Sequence, residues 1–81
     1  MEAGVTYDVV DREDPEFKIG WIKDGKFFNA IVQPPAYDGD VVGSELHGRV
    51  ASPKPLILAK IVGLVMTRDD GGKVFDLVPR K

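Results

Sequence analysis

Apolar positions along this chain come in short runs separated by glycine, proline and aspartate, and Val, Ile, Phe and Tyr are prominent among them. β-Branched and aromatic side chains fit a pleated, half-buried surface, whereas Gly, Pro and Asp are turn formers. The pattern therefore predicts strands joined by hairpins. Thr6 to Val10 reads as a first strand, and Asp11 to Glu16 as an acidic connector in which Asp14-Pro15 resists regular structure. At most a short helical turn starts at Pro15. Phe17 to Lys23 alternates, with Phe17, Ile19 and Trp21 on one face and Lys18, Gly20 and Ile22 on the other. Asp24-Gly25 suits the positive φ of a type I′ hairpin turn. Phe27 to Gln33 is then the returning strand, ended by Pro34-Pro35 because proline cannot donate to a ladder.

Asp38-Gly39-Asp40 reads as another turn, and Val41–Leu46 with Arg49–Ala51 as a hairpin around His47-Gly48. Ser52 to Pro55 is a loop. Leu56 to Thr67 is the most apolar segment; length alone would allow a helix, but Ile57, Ile61, Val62, Val65 and Gly63 favour a long strand bent at Gly63 and apolar on both faces. Asp69 to Gly72 turns the chain, Lys73 to Val78 returns, and Pro79-Arg80-Lys81 is a polar end. The expected fold is a single, mainly β domain over residues 1–81: a small barrel-like or flower-like array of antiparallel hairpins, with units near 17–33, 41–52 and 56–78.

Three segments line up as an internal repeat. They are Ile19-Gly20-Trp21-Ile22 with Gly25-Lys26-Phe27-Phe28-Asn29, Val42-Gly43-Ser44-Glu45-Leu46 with Gly48-Arg49-Val50-Ala51-Ser52, and Val62-Gly63-Leu64-Val65 with Gly72-Lys73-Val74-Phe75-Asp76. Each joins a β-branched residue and glycine to a second glycine followed by Lys or Arg, then an apolar pair and a small polar residue. The second glycine supplies a turn, and the first a bulge or close backbone approach. Over roughly residues 17–78 this pattern resembles the β-flower type of bacterial hairpin-repeat domain, in which short glycine-marked hairpins pack around a common centre. The resemblance implies a fold and carries no functional residues with it.

Length and composition narrow the setting. A chain of 81 residues makes one domain with a thin stability margin. It has no cysteine, so disulfides and thiolate metal sites are excluded, and the expected compartment is the reducing cytoplasm. The opening residues Met1-Glu2-Ala3-Gly4 lack the features of a signal peptide. Leu56–Met66 is shorter than the ~20 residues of a membrane-spanning helix, so no membrane is expected. Net charge is −2, but residues 1–40 hold 4 basic and 9 acidic side chains, while residues 41–81 hold 7 and 4. The basic residues are scattered, which points to ordinary surface charge or to attraction between the two halves rather than to a nucleic-acid face.

Candidate chemistry is sparse. Gly20 to Lys26 fits the first seven positions of a phosphate-binding loop, but Phe27 stands where Ser or Thr must hold magnesium, and strands rather than a helix flank it. Asp38/Asp40 and Asp69/Asp70 lack the spacing of a calcium loop. His47 is the sole histidine, too few for a zinc site, and reads as a turn residue; nothing around Ser44 resembles a nucleophile elbow. No cofactor and no enzymatic activity are expected. The expected role is a protein-interaction or self-associating module, with another protein or a homo-oligomer as partner, contacting through Ile57, Ile61 and Val65 or through Leu58, Val62 and Leu64. The alternative is a small barrel binding single-stranded nucleic acid. It would stack bases on Trp21, Phe27, Phe28 and Tyr37 and hold phosphates with Lys23, Lys26 and Arg49, although Trp21 and Phe28 are first expected in the core.

Overall fold

A computed structural model describes residues 1–49, 54 and 56–80. Eight antiparallel strands follow one another: β1 (Thr6–Asp11), β2 (Lys18–Lys23), β3 (Lys26–Asn29), β4 (Ala36–Val42), β5 (Glu45–Gly48), β6 (Leu56–Val62), β7 (Val65–Arg68) and β8 (Val74–Pro79). Each pairs with its sequence neighbours, and β8 returns to pair with β1, so the sheet closes into a barrel. An eight-stranded barrel is just narrow enough for side chains to fill it. Tyr7, Val9, Ile22, Phe27, Leu46, Ala59, Ile61, Met66, Phe75 and Leu77 do so, with Val41 packed against them.

The hairpins repeat one design. Ile22, Val41 and Ile61 point inward, each two residues after a small residue (Gly20, Gly39, Ala59) and five before a large apolar one (Phe27, Leu46, Met66) across a two-residue turn. The amides of Val41, Ile61 and Leu77 each donate to the carbonyl of the second turn residue of the preceding hairpin, Gly25, Ser44 and Leu64, at 2.7, 2.7 and 2.9 Å. Leu77 is thus the inward residue of a fourth, shorter unit. The small residues are required by the packing: a Cβ on Gly20 would lie 2.0 Å from the Phe28 carbonyl oxygen, and one on Gly39 2.8 Å from that of His47. The repeat is therefore set on the turn dipeptides Asp24-Gly25, Gly43-Ser44 and Gly63-Leu64, not on the glycine pairs that align most readily by eye.

Several local expectations change. Asp24 and Gly25 both have positive φ, as a type I′ turn demands. Gly43 and Gly63 take positive φ as the first central residues of their turns, the type II′ requirement. The second hairpin therefore turns at Gly43-Ser44; His47 and Gly48 lie in β5, and Asp38-Gly39-Asp40 lies inside β4 rather than in a turn. The long bent strand over Leu56–Thr67 is two strands folded back at Gly63, with Ile61 opposite Met66. Residues 30–35 leave the sheet, so the strand from Phe27 stops at Asn29. No helix occurs among the described residues, at Pro15 or elsewhere. The returning strand expected over Arg49–Ala51 and the loop Ser52–Pro55 fall largely outside the described residues.

The two ends of the barrel differ. The turn end is crossed by the N-terminal residues: Gly4 donates to Asp24 at 2.7 Å, the Glu2 amide to the Tyr7 hydroxyl at 2.8 Å, and Val5 packs on the core. At the connection end, the register slips by one residue in three pairs, between Val9/Val10, Phe27/Phe28 and Leu46/His47. The extra residues are Ile19, Asp38 and Leu58, each directly before the small residue of its repeat. A bulge bends its strand and re-aims a side chain, and bulges concentrate at barrel rims.

Candidate functional site

All three bulge residues line a cavity of about 430 Å³ at the connection end. Its floor is the underside of the core, Phe27, Leu46, Met66 and Phe75, widened by Ile19 and Leu58. Phe17 and Ile31, from the connections after β1 and β3, stand at its rim and are exposed by 46% and 61%. An apolar concavity with a few convergent polar groups is the usual form of a binding site, and barrel mouths are a common place for one.

Polar groups are distributed unevenly around this mouth. On the β3–β4 side the Asn29 amide donates to Asp38 at 3.3 Å. Across the barrel, Arg68 of β7 is held in a two-point pair with Asp70 at 3.0 and 3.1 Å, and Lys73 is 2.9 Å from Asp11. The Lys73 ammonium, followed by the Glu13 amide, holds the Asp11 carboxyl below its ordinary range. Asp11 in turn raises Lys73, with smaller help from Glu13 and Asp14 of the acidic connector. Both cations are thus matched to carboxylates, whereas Glu13, Asp14 and Glu16 lie exposed next to Phe17.

The expected partner contact on Leu56–Met66 is divided by the hairpin. Ile61 is buried in the core, Leu58 packs against it as a bulge residue of the mouth, and Ile57 and Val65 are half-buried. Val62 and Leu64 flank the turn and remain exposed, by 76% and 42%. Neither triplet forms a continuous face, because Ile61 and Leu58 pack in the barrel interior while Ile57 and Val65 are half-buried and Val62 and Leu64 are exposed.

The aromatic residues also sort differently. Phe27 points into the barrel, 6% exposed, and so stands apart from the outer aromatic side chains. Trp21 and Phe28 lie on the outer surface, half-buried, rather than in the core. They are opposite each other on β2 and β3, and Phe28 is opposite Tyr37 on β4, so one row crosses three strands. Trp21 stacks on Phe28 at 5.5 Å with 17° between the rings, and Phe28 meets Tyr37 at 5.8 Å. Arg80 lies over Trp21 at 5.5 Å and Arg49 over Tyr37 at 4.1 Å, so a guanidinium caps each end. The Tyr37 hydroxyl donates to Asp40, which raises its pKa. Lys26 also approaches Tyr37, at 5.7 Å, and Lys23 is exposed beside the hairpin turn.

The Gly20–Lys26 segment is a β-hairpin and not a strand-to-helix phosphate cradle. His47 sits in β5 with Nε2 3.0 Å from Glu45. Among the described residues no group of three His, Asp or Glu side chains converges as a metal site. The chain matches no protein-family model, and comparison with curated proteins and with solved structures returns no match.

The mouth was not visible as a site in the sequence. Its one available signal was the residue before the small position of each repeat, Ile19, Asp38 and Leu58, which reads as a bulge only once the repeat is set on its turns.

Proposed function

We propose that this protein is a non-enzymatic protein-interaction module, acting in the cytoplasm, that engages another protein or a second copy of itself through the connection end of the barrel. The carrying observation is the open apolar mouth with Phe17 and Ile31 exposed at its rim. Barrel closure supports the same reading, since β1 and β8 pair and leave no strand edge for a partner to extend. Recognition then falls to side chains at the ends. The likeness to β-flower hairpin repeats belongs to this proposal, supported by the shared placing of Ile22, Val41, Ile61 and Leu77.

The test compares the wild-type protein with a Phe17→Ser/Ile31→Ser variant, both positions lying outside the buried core. Light scattering over a range of micromolar concentrations and capture of binding proteins are measured for both. A concentration-dependent mass, or a captured protein, that is lost in the variant supports the proposal. A strict monomer with no capture sensitive to the variant overturns it.

Single-stranded nucleic acid is the second reading, favoured by Lys26, Arg49 and Arg80 against the aromatic row and by Lys23 paired opposite Lys26. Against it, the row already stacks on itself and is capped by Arg80 and Arg49.

A further inference from the structure

Resting on the interaction reading above, we infer that the barrel mouth is a pocket for one large apolar side chain of a partner protein, flanked on the partner by basic residues. Three features on different parts of the chain converge on this.

The pocket is built by a repeated device. Ile19, Asp38 and Leu58 occupy the same place in successive hairpins, each is the extra residue of a bulge, and all three line the cavity. Without the bulges the strands would run on in plain register, and the alternation of side chains would carry these three outward. The opposite end is crossed by the N-terminal residues, and its smaller cavity, of about 370 Å³, is lined in part by those residues themselves, Met1, Glu2, Ala3 and Val5.

The floor accepts a neutral group. Phe27, Leu46, Met66 and Phe75 offer no polar atom to an inserted charge, and desolvating an unpaired charge there would be prohibitive. An aromatic or branched aliphatic side chain gains from the same contact.

The surroundings select positive charge next to that group. Lys73 and Arg68 are tied to Asp11 and Asp70, so they offer little to an anion. Asp38 departs from the Ile and Leu of its sister positions and places a carboxylate on the wall of the pocket. Glu13, Asp14 and Glu16 add exposed negative charge beside Phe17. A partner segment with an apolar anchor between lysines or arginines matches both the floor and this acidic side.

The experiment is an amide-shift titration of the isotope-labelled protein with blocked pentapeptides that carry a central phenylalanine between two lysines, alanine between two lysines, or phenylalanine between two glutamates. The expected result is saturable shifts at Ile19, Asn29, Asp38, Leu58 and Lys73 with the first peptide. Binding of the second should be undetectable, and that of the third at least about fivefold weaker, the effect of roughly one exposed ion pair. Asp38→Asn and Phe17→Ser, both at exposed positions, should keep a folded spectrum; the first loses most of the lysine preference and the second weakens all binding. Equal response to the three peptides, shifts confined to the turn end, or no shift at millimolar peptide overturns the inference. So does free indole binding as tightly as the best peptide, which would mark a small-molecule pocket. If capture depends on Phe17 and Ile31 while the peptides fail, the interaction reading stands and only the pocket assignment falls.

Discussion

The guanidinium of Arg80 donates to the buried carboxylate of Asp8, tying the residue after the last strand to the middle of the first. Lys18 reaches the same carboxylate at 3.4 Å from β2. Nearby, Arg12 pairs with Asp76 at 2.7 Å and Lys73 with Asp11 at 2.9 Å, so three ion pairs bridge the β1–β8 seam. The seam joins strands distant in sequence and carries the largest loop-closure cost in the barrel. Two of these pairs set an acidic residue of the first half against a basic residue of the second, which is the form taken here by the uneven charge of the chain.

The seam makes stability depend on pH. Hydrogen bonding to Arg80 is the main reason the Asp8 carboxyl lies below its ordinary value, with burial opposing it. A carboxyl with a depressed folded pKa stabilises fully above its unfolded pKa, about 4, and that contribution disappears as pH falls through the folded value. Asp11 and Asp76 shift in the same direction, through Lys73 and Arg12. Urea midpoints should therefore be flat from pH 7 to about 5 and fall steeply below about 4. Asp8→Ala should cost about 1.5–3 kcal/mol at pH 7 and flatten the acid limb. An unchanged acid limb in that variant would remove Asp8 from the account.

Close backbone approach makes the next prediction. Gly20→Ala places a Cβ 2.0 Å from a backbone oxygen of the paired strand, which cannot rotate away. Strain of this kind costs about 1–3 kcal/mol or more, a large part of the margin of a domain this small. Gly39→Ala should rank next, at 2.8 Å. Gly43→Ala meets no atom within 4 Å and pays only for its positive φ, about 1–2 kcal/mol. Thermal denaturation of the three variants should reproduce the order Gly20, Gly39, Gly43 from most to least damaging.

These glycines also show how far the sequence could be read. Strand chemistry, the Asp24-Gly25 turn and the array of antiparallel hairpins follow from local patterns, because each depends on neighbours in sequence, whereas the β1–β8 pairing that closes the barrel does not. Glycine has two uses, positive φ at Gly43 and Gly63 and close approach at Gly20 and Gly39, and a sequence writes both with the same letter. Asp38-Gly39-Asp40 consequently resembled a turn while serving as a bulge and a contact. The mouth was hidden for a related reason: it arises where three bulges meet in space, and no single one of Ile19, Asp38 or Leu58 announces it. Bulk predicts Trp21 and Phe28 in the core, but the bulge at Ile19 breaks the alternation of β2 and turns Trp21 out.

The hairpin at Gly63 divides the most apolar segment into residues that hold the fold and residues that do not. Met66 is buried at 1% exposure, opposite Ile61, whereas Val62 stands 76% exposed. Met66→Ala should cost about 2–5 kcal/mol, enough to unfold much of the population at moderate temperature. Val62→Ser should change stability by less than about 0.5 kcal/mol. Chemical denaturation monitored by circular dichroism distinguishes this from a continuous two-sided strand, in which both substitutions would be damaging.

The aromatic row gives a direct optical test of the nucleic-acid alternative. Trp21 is the only tryptophan, so its fluorescence reports on the row without labelling. One neighbour of its ring is Phe28 and another is the Arg80 guanidinium, and a nucleobase must displace one of them before it can stack. Arg80 is also engaged with Asp8, so moving it disturbs the barrel seam as well. Titration with short single-stranded oligonucleotides at low salt should leave the emission unchanged, and Arg80→Ala should shift it by freeing one side of the indole. A salt-dependent quench in the wild-type protein, lost in Phe28→Ala and in Arg49→Ala, would reverse this and make the row the binding surface. In that event the connection-end mouth should show no response to the same oligonucleotides, since its acidic connector and Asp38 repel phosphate.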